Sequence, residues 1–248
     1  MAHPMTALDK YLQAITELQA RIVESQRDLL IEVAERMAET TRRDQRIFLF
    51  GTGHSHLLAE EAFYRAGGLA NVVPILTEHF MLHHLPALGS RLERTPDLAD
   101  IILNRYAPDL GEMLFIFSNS GVNRLPVEMA LRGRERKMLV VGVSSFAYAR
   151  QAPLSDLGLR LDESVDLALD NGGIPGDGLL ELADFPWRVA PSSTVIGALI
   201  WNCLVSETAR LLLNSGITPP IFVSINVAGA AEHNQALLEK WRPRNIHL

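Results

Sequence analysis

Residues 46–56 read RIFLFGTGHSH, four consecutive apolar residues running straight into a loop of glycine, hydroxyl and imidazole side chains. The apolar run does not alternate in polarity, so a strand made from it has no face to offer water. It fits a parallel strand covered by helices on both sides, with its loop at the carboxyl end. The same grammar recurs outward from this point. Apolar runs at 72–76, 113–117 and 139–143 each end in a small-residue loop and give way to helical periodicity. Residues 165–169 add a fifth strand, and 220–225 form a candidate short extra one. Between them, 57–65 and 126–136 read as crossover helices, the second with Pro126 as its first residue. Residues 195–214 read as a long late helix, capped by Ser193 or Thr194 and stopped by Gly216, Pro219 and Pro220. The expected fold class is α/β, a five-stranded parallel sheet flanked by helices.

Upstream of the first strand, Leu8, Ile15, Ile22 and Leu29 recur at every seventh position, with Tyr11, Leu12, Leu18, Leu30, Val33 and Met37 on the same stripe. This predicts one amphipathic helix or a helical pair broken near Ser25, ending in the polar cluster from Thr40 to Gln45. The domain reading is a helical extension over 1–45 and a single α/β domain over 46–248. The stripe is longer than one sheet face readily covers, which predicts an oligomer.

The 248 residues carry 48% hydrophobic and 21% charged side chains, enough to bury one large core. With 23 basic against 29 acidic residues, a net charge of -6 and no Lys/Arg run, the chain offers nucleic acid no phosphate-neutralising stripe. The N-terminal helical stripe lacks a basic recognition surface, which argues against a self-contained transcription regulator. Cys203 is the only cysteine, so no intrachain disulfide can form. The N-terminus lacks a basic region followed by an apolar one, and no run approaches the roughly 20 apolar residues of a bilayer span. A cytoplasmic location without membrane attachment is the expectation.

In a parallel sheet the ligand lies beyond the carboxyl ends of the strands. Three loops there are rich in glycine and hydroxyls: Gly51-Thr52-Gly53-His54-Ser55-His56, Ser118-Asn119-Ser120-Gly121-Val122-Asn123, and Pro191-Ser192-Ser193-Thr194 at the head of the long helix. Each joins free backbone N–H groups and short hydroxyl donors to the positive end of a helix, which is what an anion such as phosphate needs. Two nucleotide motifs are excluded. His56 stands where a dinucleotide fingerprint has its third glycine, and no Gly-Lys-Ser/Thr triplet occurs for a Walker loop. No cofactor is expected.

The strand IFLF followed by GTGHS, and the later FIFSNSG, resemble the two hydroxyl loops of the sugar isomerase (SIS) family of phosphosugar-binding domains. GTGHSH is similar to the start of phosphoheptose isomerases, and PSSTVIGA to the third-loop helix start of N-acetylmuramic acid 6-phosphate etherases. The resemblance runs from about Leu8 to His233. It implies a sheet working as a dimer or dimer of dimers, with a sugar phosphate as ligand. It makes Ser55, Ser118, Ser120 and Ser193 or Thr194 the hydroxyl donors, with Gly51, Gly53 and Gly121 allowing close backbone approach. Thr52, Asn119, Asn123 and Ser192 complete the same loops.

Aldose–ketose interconversion in this family moves a proton between adjacent sugar carbons and so needs a carboxylate or imidazole acting near neutrality. Phosphoheptose isomerases place a glutamate on the helix after the first loop. Here Glu60 and Glu61 come about one turn earlier, and Glu61 is either that base or an exposed helix carboxylate. Glu78-His79-Phe80-Met81-Leu82-His83-His84 follows the second strand, with His79 and His83 spaced to share one helical face. A metal there would need a third ligand brought by folding, and no metal is expected; Glu78 and His83 are candidates for substrate contact or a dimer-facing role. His233 is the candidate for a C-terminal histidine that assists ring opening, often in a neighbouring subunit's site. Asn171 and Asp177, in the glycine-rich stretch 170–178, could bond sugar hydroxyls or belong to a plain turn. The reading is a phosphosugar-binding protein and a phosphoheptose-type isomerase. The rivals are an etherase or lyase, an amino-sugar phosphate deaminase, and a non-catalytic sugar-phosphate sensor.

Overall fold

The computed structural model describes residues 5–248. Helices α1 (Ala7–Ser25) and α2 (Arg27–Arg42) precede β1 (Ile47–Gly51), α3 (His56–Ala62), β2 (Val72–Ile75), α4 (Pro86–Leu92), α5 (Leu98–Tyr106) and β3 (Met113–Phe117). Then come α6 (Arg124–Glu135), β4 (Leu139–Ser144), α7 (Phe146–Gln151), α8 (Leu161–Ser164) and β5 (Leu167–Asp170). A small hairpin of β6 (Gly178–Leu180) and β7 (Val189–Pro191), then α9 (Ser193–Asn214) and α10 (Ala230–Trp241), complete the chain. The five main strands are parallel in the order β2-β1-β3-β4-β5, and β6 pairs antiparallel with β7 outside that sheet.

Every residue of β1 and β3 is buried, which explains why neither alternates in polarity. On one face Ile47, Leu49, Met113, Phe115 and Phe117 meet α2, α3 and α9 through Val33, Met37, Leu58, Ile200 and Trp201. On the other, Phe48, Phe50, Leu114 and Ile116 meet α5, α6 and α8 through Leu103, Met129 and Leu161. The N-terminal stripe is a helical pair that hinges at Gln26, whose side chain bonds the backbone of Asp170 in both directions. α2 lies inside the same core as the strands, so the boundary drawn at residue 45 separates elements in sequence but not in packing. At the start of α1, Leu8 and Leu12 remain exposed.

Several expectations shift for local reasons. Residues 220–225 make only an isolated antiparallel bridge between Leu69 and Ile221. Pro219 and Pro220 have no N–H to offer a ladder, and the Asn234 amide takes both the N–H and the C=O of Val223 at 2.9 and 2.7 Å. Pro126 is the third rather than the first residue of α6, a position whose N–H would also lack a partner. The helix expected over 57–65 stops at Ala62, because Phe63 turns extended and Tyr64 takes φ 45°. Residues 78–84 form a single 3-10 turn over Glu78–Phe80 that buries Phe80, so His79 and His83 share no helical face. The fifth strand begins two residues late, since α8 runs up to Val165. α9 has 22 residues, and an 18-residue window of it reaches a mean hydropathy of 1.4, long and apolar enough by composition to cross a membrane, contrary to the expectation that no such run exists. Its apolar character is used internally: Ile196, Ile200, Trp201 and Leu204 are buried against the sheet layer.

The amino end of the sheet is closed by charge. Glu112, fully buried, accepts from Arg46 Nε and Nη2 at 2.8 and 2.7 Å and from Arg244 Nη2 at 3.0 Å. Arg46 also donates to the carbonyls of Ala107 and Arg244, at 2.8 and 2.9 Å, tying β1 and β3 to the end of α5 and to the C-terminal segment. Removing one partner of a buried pair leaves the other uncompensated. Glu112→Gln is expected to lower unfolding free energy by about 3 kcal/mol. A lower urea midpoint at unchanged slope, with ligand affinity intact, is the result to look for.

Candidate functional site

The strand order reverses between β1 and β3: the chain leaves β1 toward β2 on one side, and β3 leads on to β4 and β5 on the other. A crevice opens at such a switch point, beyond the carboxyl ends of the two strands. Here it is a cleft of about 320 Å³.

The loop after β1 contributes Thr52, His54 and Ser55. Gly51 has no room for a Cβ because the Ser55 carbonyl closes over it, so its smallness serves the turn rather than a ligand. Gly53, at φ 56°, faces open space and leaves its backbone approachable. Ser55 stands at the start of α3 without bonding the helix through its side chain, which leaves its hydroxyl free. The loop after β3 contributes Ser118, Asn119, Ser120 and Asn123; Gly121, at φ 63°, turns it under Ser144. From the third loop come Pro191, Ser193 and Thr194. Beneath the cleft lies a void of about 10 Å³ bounded by Ser55, Ser118, Ser193 and Thr194, with Asn171 at its edge. The starts of α6 and α9 face this space through Asn123 and Ser193, adding their positive ends to the hydroxyls. Gly197 lets α9 lie directly on Leu58 of α3, which holds the helix behind Ser55 against the helix behind Ser193. No lysine or arginine lines the cleft among the described residues.

The three loops read from sequence therefore meet. Several of their members are already engaged: Ser192 is fully buried behind the cleft wall, Thr52 Oγ1 donates to Glu93, and Ser193 Oγ donates to Asp177. Asn171 is turned inward, donating to Asn119 Oδ1 at 2.9 Å and accepting from the Gly173 N–H. The Asp177 carboxylate borders the cleft but points at the start of α9, where it accepts from Ser192 and Ser193.

The candidate acids and bases lie elsewhere in this chain. Glu61 pairs with Arg65 along the flank of α3. Glu78 and His83 are exposed in the connection after β2, where the His79 and His84 rings meet edge to face at 4.8 Å. Among the described residues, no group of three His, Cys, Asp or Glu side chains is placed to hold a metal. His233 bonds the Ile221 carbonyl at 2.8 Å, beside the segment leading into the amino end of β2 and thus toward the opposite edge of the sheet.

Two cleft residues escaped the sequence reading. Glu93 follows α4 and reaches the cleft only because the excursion between β2 and α5 folds back over the first loop; its carbonyl accepts from Leu125 N at 3.0 Å. Nothing in the local sequence RLERTPD marks it. Tyr148 lies in the first turn of α7, where the run Ser144-Ser145-Phe146-Ala147-Tyr148 at the end of β4 makes a fourth strand end with hydroxyls. Past Ser120, Asn123 and Tyr148 the cleft continues into a depression of about 460 Å³ that Arg94 and Arg124 also line.

A family model described as the SIS domain matches residues 10–145. A UPF0309 protein of Halalkalibacterium halodurans is 40% identical over 238 residues, 96% of this chain and 95% of that one. A UPF0309 protein of Brucella canis is 39% identical over 217 residues, 88% of each chain. Among solved structures, a phosphoheptose isomerase from Francisella tularensis superposes on 83% of this chain and 100% of that one with a TM-score of 0.52, at 13% identity, a likeness of fold. A switch-point cleft built from hydroxyl loops, a family match that covers the first two of them, and relatives aligned almost end to end lead to one assignment: the chain belongs to the SIS-domain family, in the group of UPF0309 proteins.

Proposed function

We propose that the cleft binds a sugar phosphate and that the chain interconverts aldose and ketose forms of it. The observation that carries this reading is the convergence of Ser55, Ser118, Ser120, Ser193 and Thr194, from three separate strand-end loops, on one small cleft in front of helix starts. Neutral donors and helix ends suit a phosphate held by hydrogen bonds. The adjoining depression with Arg94 and Arg124 gives room for the rest of a sugar chain. The solved structure of like fold is named a phosphoheptose isomerase, the same reaction class.

Glu93 and His54 border this cleft and serve as base and acid, the other carboxylate there, Asp177, being engaged at the start of α9. In the proposed reaction the Glu93 carboxylate takes the proton from C2 of the aldose, and the C–H electron pair forms the C1–C2 double bond of an enediol while O1 gains a proton from His54. The O2 hydroxyl then returns a proton to His54 as Glu93 delivers its proton to C1. Protons and electrons balance without a cofactor. Glu61, Glu78, His83 or His233 would act at the cleft only if a second copy delivered them. The exposed Leu8 and Leu12, 66% and 57% accessible, support a second copy seated on α1.

Calorimetry with hexose and heptose phosphates, each compared with its free sugar, is expected to show binding that depends on the phosphate. Ser55→Ala, Ser120→Ala and Ser193→Ala should each weaken it about tenfold to a hundredfold. Equal affinity for sugar and sugar phosphate would remove the phosphosugar reading. Glu93→Gln is expected to abolish uptake of solvent deuterium into the bound sugar phosphate while affinity stays within about tenfold. Tight binding with no exchange by the unmodified protein would instead favour a sensor. Sedimentation at micromolar concentration should give a dimer or tetramer, and Leu8→Glu with Leu12→Glu should dissociate it.

A further inference from the structure

The start of α9 is occupied by the protein's own carboxylate. Ser192, in the N-cap position, makes no capping bond through its side chain. Asp177, fifteen residues earlier, supplies the acceptor instead. Its Oδ1 accepts from the backbone N–H groups of Ser192 and Ser193 at 3.1 and 2.9 Å and from Ser192 Oγ at 3.2 Å. Its Oδ2 accepts from Ser193 Oγ at 2.6 Å. One carboxylate thus takes four donors at the positive end of a 22-residue helix. Ser193 is also one of the hydroxyls that bring the third loop to the cleft, and Asp177 itself stands in the cleft wall.

We propose that Asp177 is an internal stand-in for the ligand's phosphate, and that an incoming sugar phosphate must displace it from the start of α9. The proposal rests on the phosphosugar reading of this cleft. The donors on Ser193 cannot serve two anions together, and a phosphate dianion beside a seated carboxylate would meet like charge where the helix end had offered attraction. A neutral sugar has nothing with which to drive the carboxylate out. A dianion does, because it forms more and stronger charge-assisted bonds to the same groups. Asp177 therefore sets the affinity of the cleft and its preference for phosphorylated ligands. The surrounding chain lets it leave. Asp177 is held at φ 68°, a left-handed conformation that a residue with a Cβ adopts at a cost, and Gly176 before it, at φ 82°, faces open space. The β6–β7 pairing of Gly178 with Pro191 fixes the far side, so the movement is confined to the carboxylate and the short turn that carries it.

The test compares Asp177→Ala and Asp177→Asn with the unmodified protein by calorimetry, using inorganic phosphate and glucose 6-phosphate as probes. Both variants are expected to bind the probes about tenfold more tightly. In phosphate-free buffer Asp177→Ala should unfold at a lower temperature, because the helix start has lost its acceptor, and saturating inorganic phosphate should restore it by taking the vacated place. Asp177→Asn keeps the shape of the side chain and carries the comparison if the alanine variant does not fold. If the unmodified protein binds the probes and both variants bind them equally or more weakly, Asp177 is only a cap and the proposal is overturned. If no form binds either probe, the phosphosugar reading itself fails and the proposal with it. Silence from the unmodified protein alongside binding by the variants supports displacement, with the carboxylate winning in the resting chain.

Discussion

Everything in this molecule follows from a parallel sheet that is buried on both faces. Strands such as Phe48-Leu49-Phe50 and Leu114-Phe115-Ile116 have no solvent side, so polar chemistry is expelled from the layer and can appear only where strands begin or end. The two ends are used differently. At the amino end, Arg46, Glu112 and Arg244 satisfy one another and draw the last residues of the chain under the sheet, with Asn245 donating to the Val72 carbonyl at 3.0 Å. The carboxyl end has no such seal. Its loops finish in glycines and hydroxyls, and the reversal of strand order between β1 and β3 leaves a gap there that side chains do not fill.

The parts of this design that were legible in the sequence are those written locally. An unbroken apolar run followed by a glycine–hydroxyl loop announces both a buried strand and the edge at which ligand chemistry gathers, which is why Ser55, Ser118, Ser120 and Ser193 could be grouped from positions far apart in the chain. The N-terminal helices were visible in the same way, as a stripe with a polar break that fitted one helix or a pair. What could not be read is written in tertiary contacts. Glu93 matters only because the segment after α4 folds back onto Thr52. Asp177 reads in sequence as a bonding partner of sugar hydroxyls or a plain turn residue, whereas its carboxylate lies at a helix start fifteen residues away. Conversely, Glu78, His79 and His83 have suggestive spacing, but the single buried Phe80 fixes a short turn and leaves them on the surface.

The segment after Pro219 shows how a side chain can overrule a strand pattern. Its apolar composition suits a sheet edge, yet the Asn234 amide offers Val223 the same donor and acceptor that a neighbouring strand would, and the segment stops there. Asn234 on α10 thus closes the segment at Val223, and His233 beside it bonds the Ile221 carbonyl rather than reaching the cleft.

Among the described residues the cleft lining holds no lysine or arginine, which bears on the field at its opening. Hydroxyls, amides and helix ends act over a few ångströms, and in a chain of net charge -6 they do not project an attractive field across the roughly 8 Å over which physiological salt lets charges be felt. The nearest positive side chains are Arg94 and Arg124 in the depression into which the cleft continues past Ser120, Asn123 and Tyr148. Any longer-range attraction at the opening therefore comes from that one side and weakens with salt, while the cleft lining itself acts only by contact.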